Sequence, residues 1–204
     1  MVEIRMRFDL QVISSWIEPH SRVLDLGCGH GDLLYYLQTE KGVKGIGIES
    51  DEKKAASCIS RGLSVLQENF NEEVLDYPAN HFDYIILSQT LQQVYKPDEL
   101  LRSLLTIGSK VIVSFPNFSH WKIRAQLFFT GLAPKSDHLP YEWYNSPNIR
   151  VVTMKDFRTF IATIGAEIMQ EVAINNHHHE EKGNIVRFLT DCRATYGIFL
   201  ITAK

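Results

Sequence analysis

Three glycines at alternate positions, Gly27, Gly29 and Gly31, follow the short apolar run Val23-Leu24-Asp25-Leu26 and precede Asp32-Leu33-Leu34. Glycine lets a chain turn sharply and lets a ligand approach the backbone closely. A helix opening at Asp32 presents free N–H groups, which favour a negative or electron-rich ligand group, and Asp32 is placed to cap it. Asp25 stands two residues before the first glycine, giving D-x-G-x-G-x-G. A second acid, Glu49, follows at the distance past the glycines at which a carboxylate meets a pair of ribose hydroxyls. Its two oxygens suffice for both hydroxyls. The dinucleotide fingerprint G-x-G-x-x-G needs glycine where this chain has Asp32, which disfavours a nicotinamide cofactor.

Other candidate chemistry is sparse. No general base announces itself, and no catalytic residue is assigned. His120, His138, Tyr141 and Glu142 fall in one long connection and read as surface or packing residues. His177-His178-His179-Glu180-Glu181 has metal-ligating residue types, but adjacent residues rarely share one ion with proper geometry. It reads as a solvated turn, and no metal site is expected. Cys28 has no evident base beside it and reads as a small packing residue.

Positioning the glycine loop takes a strand before it and a helix after it. Arg22 to Leu26 is apolar enough for a strand covered on both faces. Before it, Phe8, Val12, Ile13 and Trp16 have helical spacing, which Pro19 stops. After it, Leu33, Leu34 and Leu37 mark a helix ending near Gly42. Strands follow at Lys44–Glu49, Ser64–Gln67, Phe82–Ser88 and Lys110–Phe115. Helices follow at Ser50 or Asp51 to Arg61, and at Pro97 to Ile107 with Leu100, Leu101, Leu104 and Leu105 inward. This alternation predicts an α/β fold, a mostly parallel sheet with helices on both faces. Ligands of such sheets sit outside the carboxyl ends of the strands. Glu167–Ile174 and Tyr196–Thr202 read as an antiparallel edge pair. Before them Thr153 and Asp156 form a capping box for a helix with Phe157, Phe160, Ile161 and Ile164 inward. Residues 117–150 break the rhythm with a helix from Ser119 to Phe129, then Pro134, Pro140 and Pro147. So long a connection is expected to be a lid-like insertion in a single domain spanning 1–204.

The chain has 204 residues and a formal net charge of −3, so nothing points to nucleic acid held by charge. The start has no apolar signal core and no run is long enough to span a bilayer. Cys28, Cys58 and Cys192 are odd in number and widely spaced, as expected of reduced thiols in a cytoplasmic protein.

The D-x-G-x-G-x-G stretch resembles the first motif of class I S-adenosylmethionine (SAM) methyltransferases. That resemblance implies a Rossmann-like fold binding SAM or S-adenosylhomocysteine through Asp25, Gly27, Gly29, Gly31 and Glu49. It also implies an acid after the third strand for the adenine amino group, where this chain has Asn69. Asparagine offers a carbonyl acceptor without charge. Phe70 is placed either to stack on the adenine or to pack in the core. Gln89 and Thr90 either hydrogen-bond the amino-acid end of the cofactor or cap the next turn. The Asn/Asp-Pro-Pro-aromatic loop of nucleobase and amide methylating enzymes is absent after Ser88.

Longer segments are similar to one family, the MetW-type methionine-biosynthesis proteins. They are Val23 to Gly31, Phe82 to Gln92, Val113-Ser114-Phe115-Pro116-Asn117-Phe118-Ser119-His120-Trp121, and Leu139 to Ile149 with its Tyr141-x-Trp143-Tyr144 core. That resemblance implies association with homoserine O-acyltransferase (MetX), with no settled methyl acceptor. It leaves two functions open: a SAM-binding partner or regulator of the acyltransferase, and a methyltransferase on a small cytosolic acceptor. The missing base, Asn69 in place of an acid, and the aromatic insertion favour the partner reading, with contact through Tyr141, Trp143 and Tyr144.

Overall fold

The computed structural model describes residues 6–68, 77–136, 139–176 and 180–204. In chain order the elements are α1 (Phe8–Trp16), β1 (Arg22–Leu26), α2 (Asp32–Lys41), β2 (Lys44–Ile48), α3 (Glu52–Ser60), β3 (Ser64–Leu66), β4 (Phe82–Ser88), α4 (Pro97–Ile107), β5 (Gly108–Pro116), α5 (Trp121–Thr130), α6 (Met154–Thr163), β6 (Ala166–Asn176), β7 (Gly183–Ile185), α7 (Thr190–Arg193) and β8 (Tyr196–Ala203).

The strands form one sheet in the order β3-β2-β1-β4-β5-β8-β6-β7. β1 to β5 pair in parallel, and β8 enters antiparallel between β5 and β6. Successive residues of a strand face opposite sides, so the apolar strands feed two cores. Leu24, Ile85, Val111, Val113, Phe199 and Ile201 meet α4 and α6 on one face. Val23, Tyr84, Ile86, Ile112, Ile198 and Leu200 meet α1, α2 and Cys58 of α3 on the other. The expected mostly parallel sheet covered by helices on both faces is what forms.

Several details differ from expectation. The antiparallel part has three strands. β8 is interior, and the short polar strand β7, which shows no hydrophobic alternation, pairs outside β6. Gly31, at φ 76°, takes the N-cap of α2, and Asp32 becomes its first residue with its carboxylate 2.8 Å from Arg61 Nη1. The buried face of α1 is Asp9, Leu10, Ile13 and Ser14, while Phe8, Val12 and Trp16 flank it. In α4 it is Ile107, not Leu105, that completes the buried stripe.

The insertion leaves from the end of β5 and is pinned at both ends. Asn117 is buried, and its Nδ2 donates to the Asp191 and Ala194 carbonyls, each at 2.9 Å. Its Oδ1 accepts from Ser119 Oγ at 2.8 Å. On the return, the Ile149 and Arg150 amides donate to Gln92 O, each at 3.0 Å. Both ends of the segment therefore sit at the carboxyl end of the parallel strands.

Candidate functional site

The chain runs from β1 outward through β2 and β3, then returns to β4 on the other side of β1. The strand ends at such a reversal leave a crevice, the usual ligand position in open α/β sheets. Here it is a cleft of about 440 Å³ walled by Asp25, Gly27, Gly29, Ser88, Arg7 and Glu181, among others.

The three glycines do different work. A Cβ on Gly27 would lie 2.9 Å from Thr90 Oγ1, so this glycine admits the β4 loop. A Cβ on Gly31 would lie 2.5 Å from Leu63 Cδ1 and 2.9 Å from Cys58 Sγ, so this one brings α2 against α3 and does not line the cleft. Gly29 has open space within 4 Å, and its backbone is the part of the loop a ligand can reach closely. Its amide donates to Glu49 Oε2 at 2.9 Å, and its carbonyl accepts from Cys58 Sγ at 3.2 Å.

Glu49 is buried just behind Gly29, and its Oε1 also accepts from the Asp51 amide at 2.9 Å. It thus ties the glycine loop to the start of α3. A carboxylate has about four lone-pair positions, so two bonds leave room for hydroxyl donors. Asp25 is 3% exposed, and its Oδ1 has no hydrogen-bond partner among the described residues. Burial, reinforced by the Glu49 charge and opposed by Arg7, pushes its carboxyl up to about 7. The Cys28 thiol is raised by burial first and by Asp25 second, which makes it a poor nucleophile and agrees with a packing role.

Gln89 does not line the cleft. It sits at φ 55°, and its Nε2 donates to Asp9 Oδ2 at 2.8 Å. Thr90 stands at the N-cap of the turn Leu91–Gln93 but gives it no side-chain bond; its Oγ1 donates to the Leu26 carbonyl at 3.2 Å. Asn69, Phe70, His138 and His177 to His179 lie outside the described residues.

Arg7, Asp9 and Glu181 are the residues that sequence reasoning missed. Asp9 is fully buried and takes Arg7 in a two-point pair, 3.1 Å from Nε and 2.9 Å from Nη2. This pair sets the Arg7 guanidinium on the cleft wall. The Phe8 amide donates to Glu180 O, and Gln11 Nε2 donates to Glu181 O, each at 3.0 Å. Those bonds carry Glu180 and Glu181 to the same wall.

A family model described as "Methionine biosynthesis protein MetW" matches residues 7–201. The chain belongs to the MetW family. Its match to a "Bifunctional methionine biosynthesis protein MetXA/MetW" of Rhodopirellula baltica is 32% identical over 179 residues, 83% of this chain and 29% of that protein. The "Ubiquinone/menaquinone biosynthesis C-methyltransferase UbiE" of Vibrio cholerae is 32% identical over 110 residues, 48% of this chain and 42% of the relative. The chain thus spans under half the length of either relative. Among solved structures, a SAM-dependent methyltransferase from Archaeoglobus fulgidus superposes with a TM-score of 0.69 at 16% identity, covering 96% of this chain and 91% of that one. A SAM-dependent methyltransferase from Thermotoga maritima, described as a possible histamine N-methyltransferase, gives 0.67 at 18%, covering 97% and 88%. At such identities these two show the fold alone: this MetW-family chain has the architecture of class I methyltransferases. No described helix is long and apolar enough to cross a membrane.

Proposed function

We propose that this MetW-family chain is a SAM- or S-adenosylhomocysteine-binding partner of homoserine O-acyltransferase (MetX) in the cytoplasm. The observation that carries the partner reading is the relative from Rhodopirellula baltica whose name joins MetXA and MetW.

The cleft offers partners for the ribose and for the amino-acid end of the cofactor. Gly29 allows close backbone approach, and Glu49, which stands behind it and outside the cleft's lining, keeps lone pairs for ribose hydroxyls. Arg7 offers a guanidinium for the carboxylate of the amino-acid end, and the orphaned Oδ1 of Asp25 is an acceptor for its ammonium. When bound, SAM would supply an electrophilic methyl group. The residues of this chain bind and orient it, and in-line positioning is the main requirement for transfer. Asp25, Gly27, Gly29 and Glu49 are the proposed binding set, with Gly31 shaping the loop from behind and Gln89 acting through Asp9.

The insertion is proposed as the docking surface. Phe128, Phe129, Trp143 and Tyr144 are 83, 80, 78 and 70% exposed, and no described insertion residue walls the cleft. Beside them an apolar groove of about 370 Å³ is lined by Ile123, Leu127, Leu139, Tyr141, Trp143 and Val151. Exposed aromatics around such a groove are typical interface anchors. A second reading, methyl transfer to a small acceptor, draws on the methyltransferase architecture.

The deciding experiment mixes the chain with the acyltransferase and measures complex formation and acyl transfer, with SAM and without it. Stimulation supports the partner reading. No complex, together with SAM turnover on a small-molecule extract, supports the methyltransferase reading instead.

A further inference from the structure

A second cavity, of about 430 Å³, opens between the first turn of α5, the end of β6, the strand β7 and the turn before β8. Three cations line it, Lys122, Lys182 and Arg193, and no Asp or Glu is among the described residues that do. None of these cations is ion-paired with a described carboxylate. The ten-residue helix α5 starts on the cavity wall at Trp121, so the positive end of its dipole adds to the field. The cavity wall also holds two buried polar atoms without partners among the described residues. Asn176 is 5% exposed and lines the space, and its Oδ1 has no hydrogen-bond partner; Ser136 Oγ on the same wall has none either. Buried polar atoms in native proteins are nearly always satisfied, so an orphan on a residue of a cavity wall marks where a bound group can complete the bonding.

We propose that this cavity binds a small organic anion that carries a hydroxyl and no amino group. The cations and the helix end hold the anionic group, a carboxylate or a phosphate ester, through charge-assisted hydrogen bonds. Asn176 Oδ1 accepts from the hydroxyl. An ammonium group would meet three like charges and no described carboxylate, which selects against amino acids. The site is separate from the glycine cleft, although the connection between β6 and β7 touches both. Glu181 faces the cleft, and Lys182 and Gly183 face this cavity.

The test is titration calorimetry on the full chain at constant ionic strength. Malate and glycerol 3-phosphate are the carboxylate and phosphate probes, aspartate and succinate are the comparators, and sodium chloride is the blank. At least one hydroxylated anion should bind saturably at millimolar concentration. If the anion is a carboxylate, malate should bind at least about tenfold tighter than aspartate, which differs by an amino group in place of the hydroxyl. Lys182 and Arg193 are exposed, so the double variant Lys182→Ala/Arg193→Ala keeps the fold. It should weaken binding at least about tenfold, whereas Glu49→Ala should leave it unchanged. Binding of neither hydroxylated anion above the chloride blank, equal binding of aspartate and malate, or unchanged binding by the double variant would overturn the proposal. Loss of binding in Glu49→Ala alone would move the anion to the glycine cleft and overturn it equally.

Discussion

The Gly29 amide donates to Glu49 Oε2 at 2.9 Å, which makes the acid at the end of β2 a structural clasp for the glycine loop. Its other oxygen holds the Asp51 amide. One carboxylate therefore sets both the loop and the start of α3, and any role toward a ribose is added to that.

Replacing Glu49 by alanine leaves two backbone donors, on Gly29 and Asp51, unpaired in a partly buried place. Affinity for SAM should fall by roughly 1–3 kcal/mol, the usual cost of unmet polar partners, and thermal stability should fall with it. Calorimetry with SAM, S-adenosylhomocysteine and NAD checks both the loss and the selectivity. Binding of NAD with no response to either sulfonium or thioether nucleoside would refute the cofactor assignment.

The glycines should separate by position. Gly31→Ala drives a methyl into Leu63 and Cys58 at a left-handed residue, so it should destabilise the fold by roughly 2–4 kcal/mol through overpacking and strain. Gly29→Ala, at φ 60° but in open space, should cost only about 1 kcal/mol in stability while weakening nucleoside binding. Chemical denaturation of both variants, beside binding, distinguishes the two roles.

Asp25 gives opposite pH signatures to stability and affinity. Its carboxyl is raised from 3.8 to about 7 in the folded chain. The folded state thus binds more protons than the unfolded one, and this contribution to stability is full below about pH 4 and lost as pH rises through 7. A cofactor ammonium prefers the ionised carboxylate, so affinity should rise with pH up to about 7, by at most about tenfold per unit, then level off. Asp25→Asn should flatten both profiles. A wild-type affinity that does not change between pH 5.5 and pH 8, in the sense of these ~7-centred titrations, would remove Asp25 from the ligand's contacts.

Trp143, 78% exposed and edge-on to Tyr144 at 5.7 Å, is the proposed anchor for the acyltransferase. Truncating an interface anchor costs about 2 kcal/mol or more, so Trp143→Ala should lower affinity for the acyltransferase at least about tenfold, the equivalent of 1.4 kcal/mol. Nucleoside binding should change little. A pull-down and an acyltransferase assay with both proteins side by side provide the check, and equal stimulation by the two would exclude Trp143.

Much of the fold was legible because buried parallel strands and glycine-ended helices write themselves into local sequence. Val23 to Leu26 and Phe82 to Ser88 could hardly be anything but central strands. The N-cap of α3 was readable to within one residue: of Ser50 and Asp51, it is Asp51 that accepts from the Lys54 amide, at 3.0 Å. What local sequence could not reveal is contact between distant segments. Asp9 looks like an ordinary acid in a first helical turn, yet its partner Gln89 lies 80 residues away. Gln89 in turn reads as a ligand contact until Asp9 is seen to occupy it. β8 could be recognised as a strand, but its place between β5 and β6 is a property of the assembled sheet.

The bonds from Phe8 and Gln11 to Glu180 and Glu181 also bear on synthesis. The glycine loop and its clasp lie within the first third of the chain and can form as soon as β1 and β2 emerge from a ribosome. The opposite wall cannot, because it waits for residues beyond 180 and for β8, on which β6 is paired. Domains generally fold from the N-terminal side during translation, and contacts between distant residues form slowly. A nascent chain stalled before residue 180 would therefore hold a half-open crevice, and a nucleoside ligand should be captured only once Glu180 and Glu181 are in place.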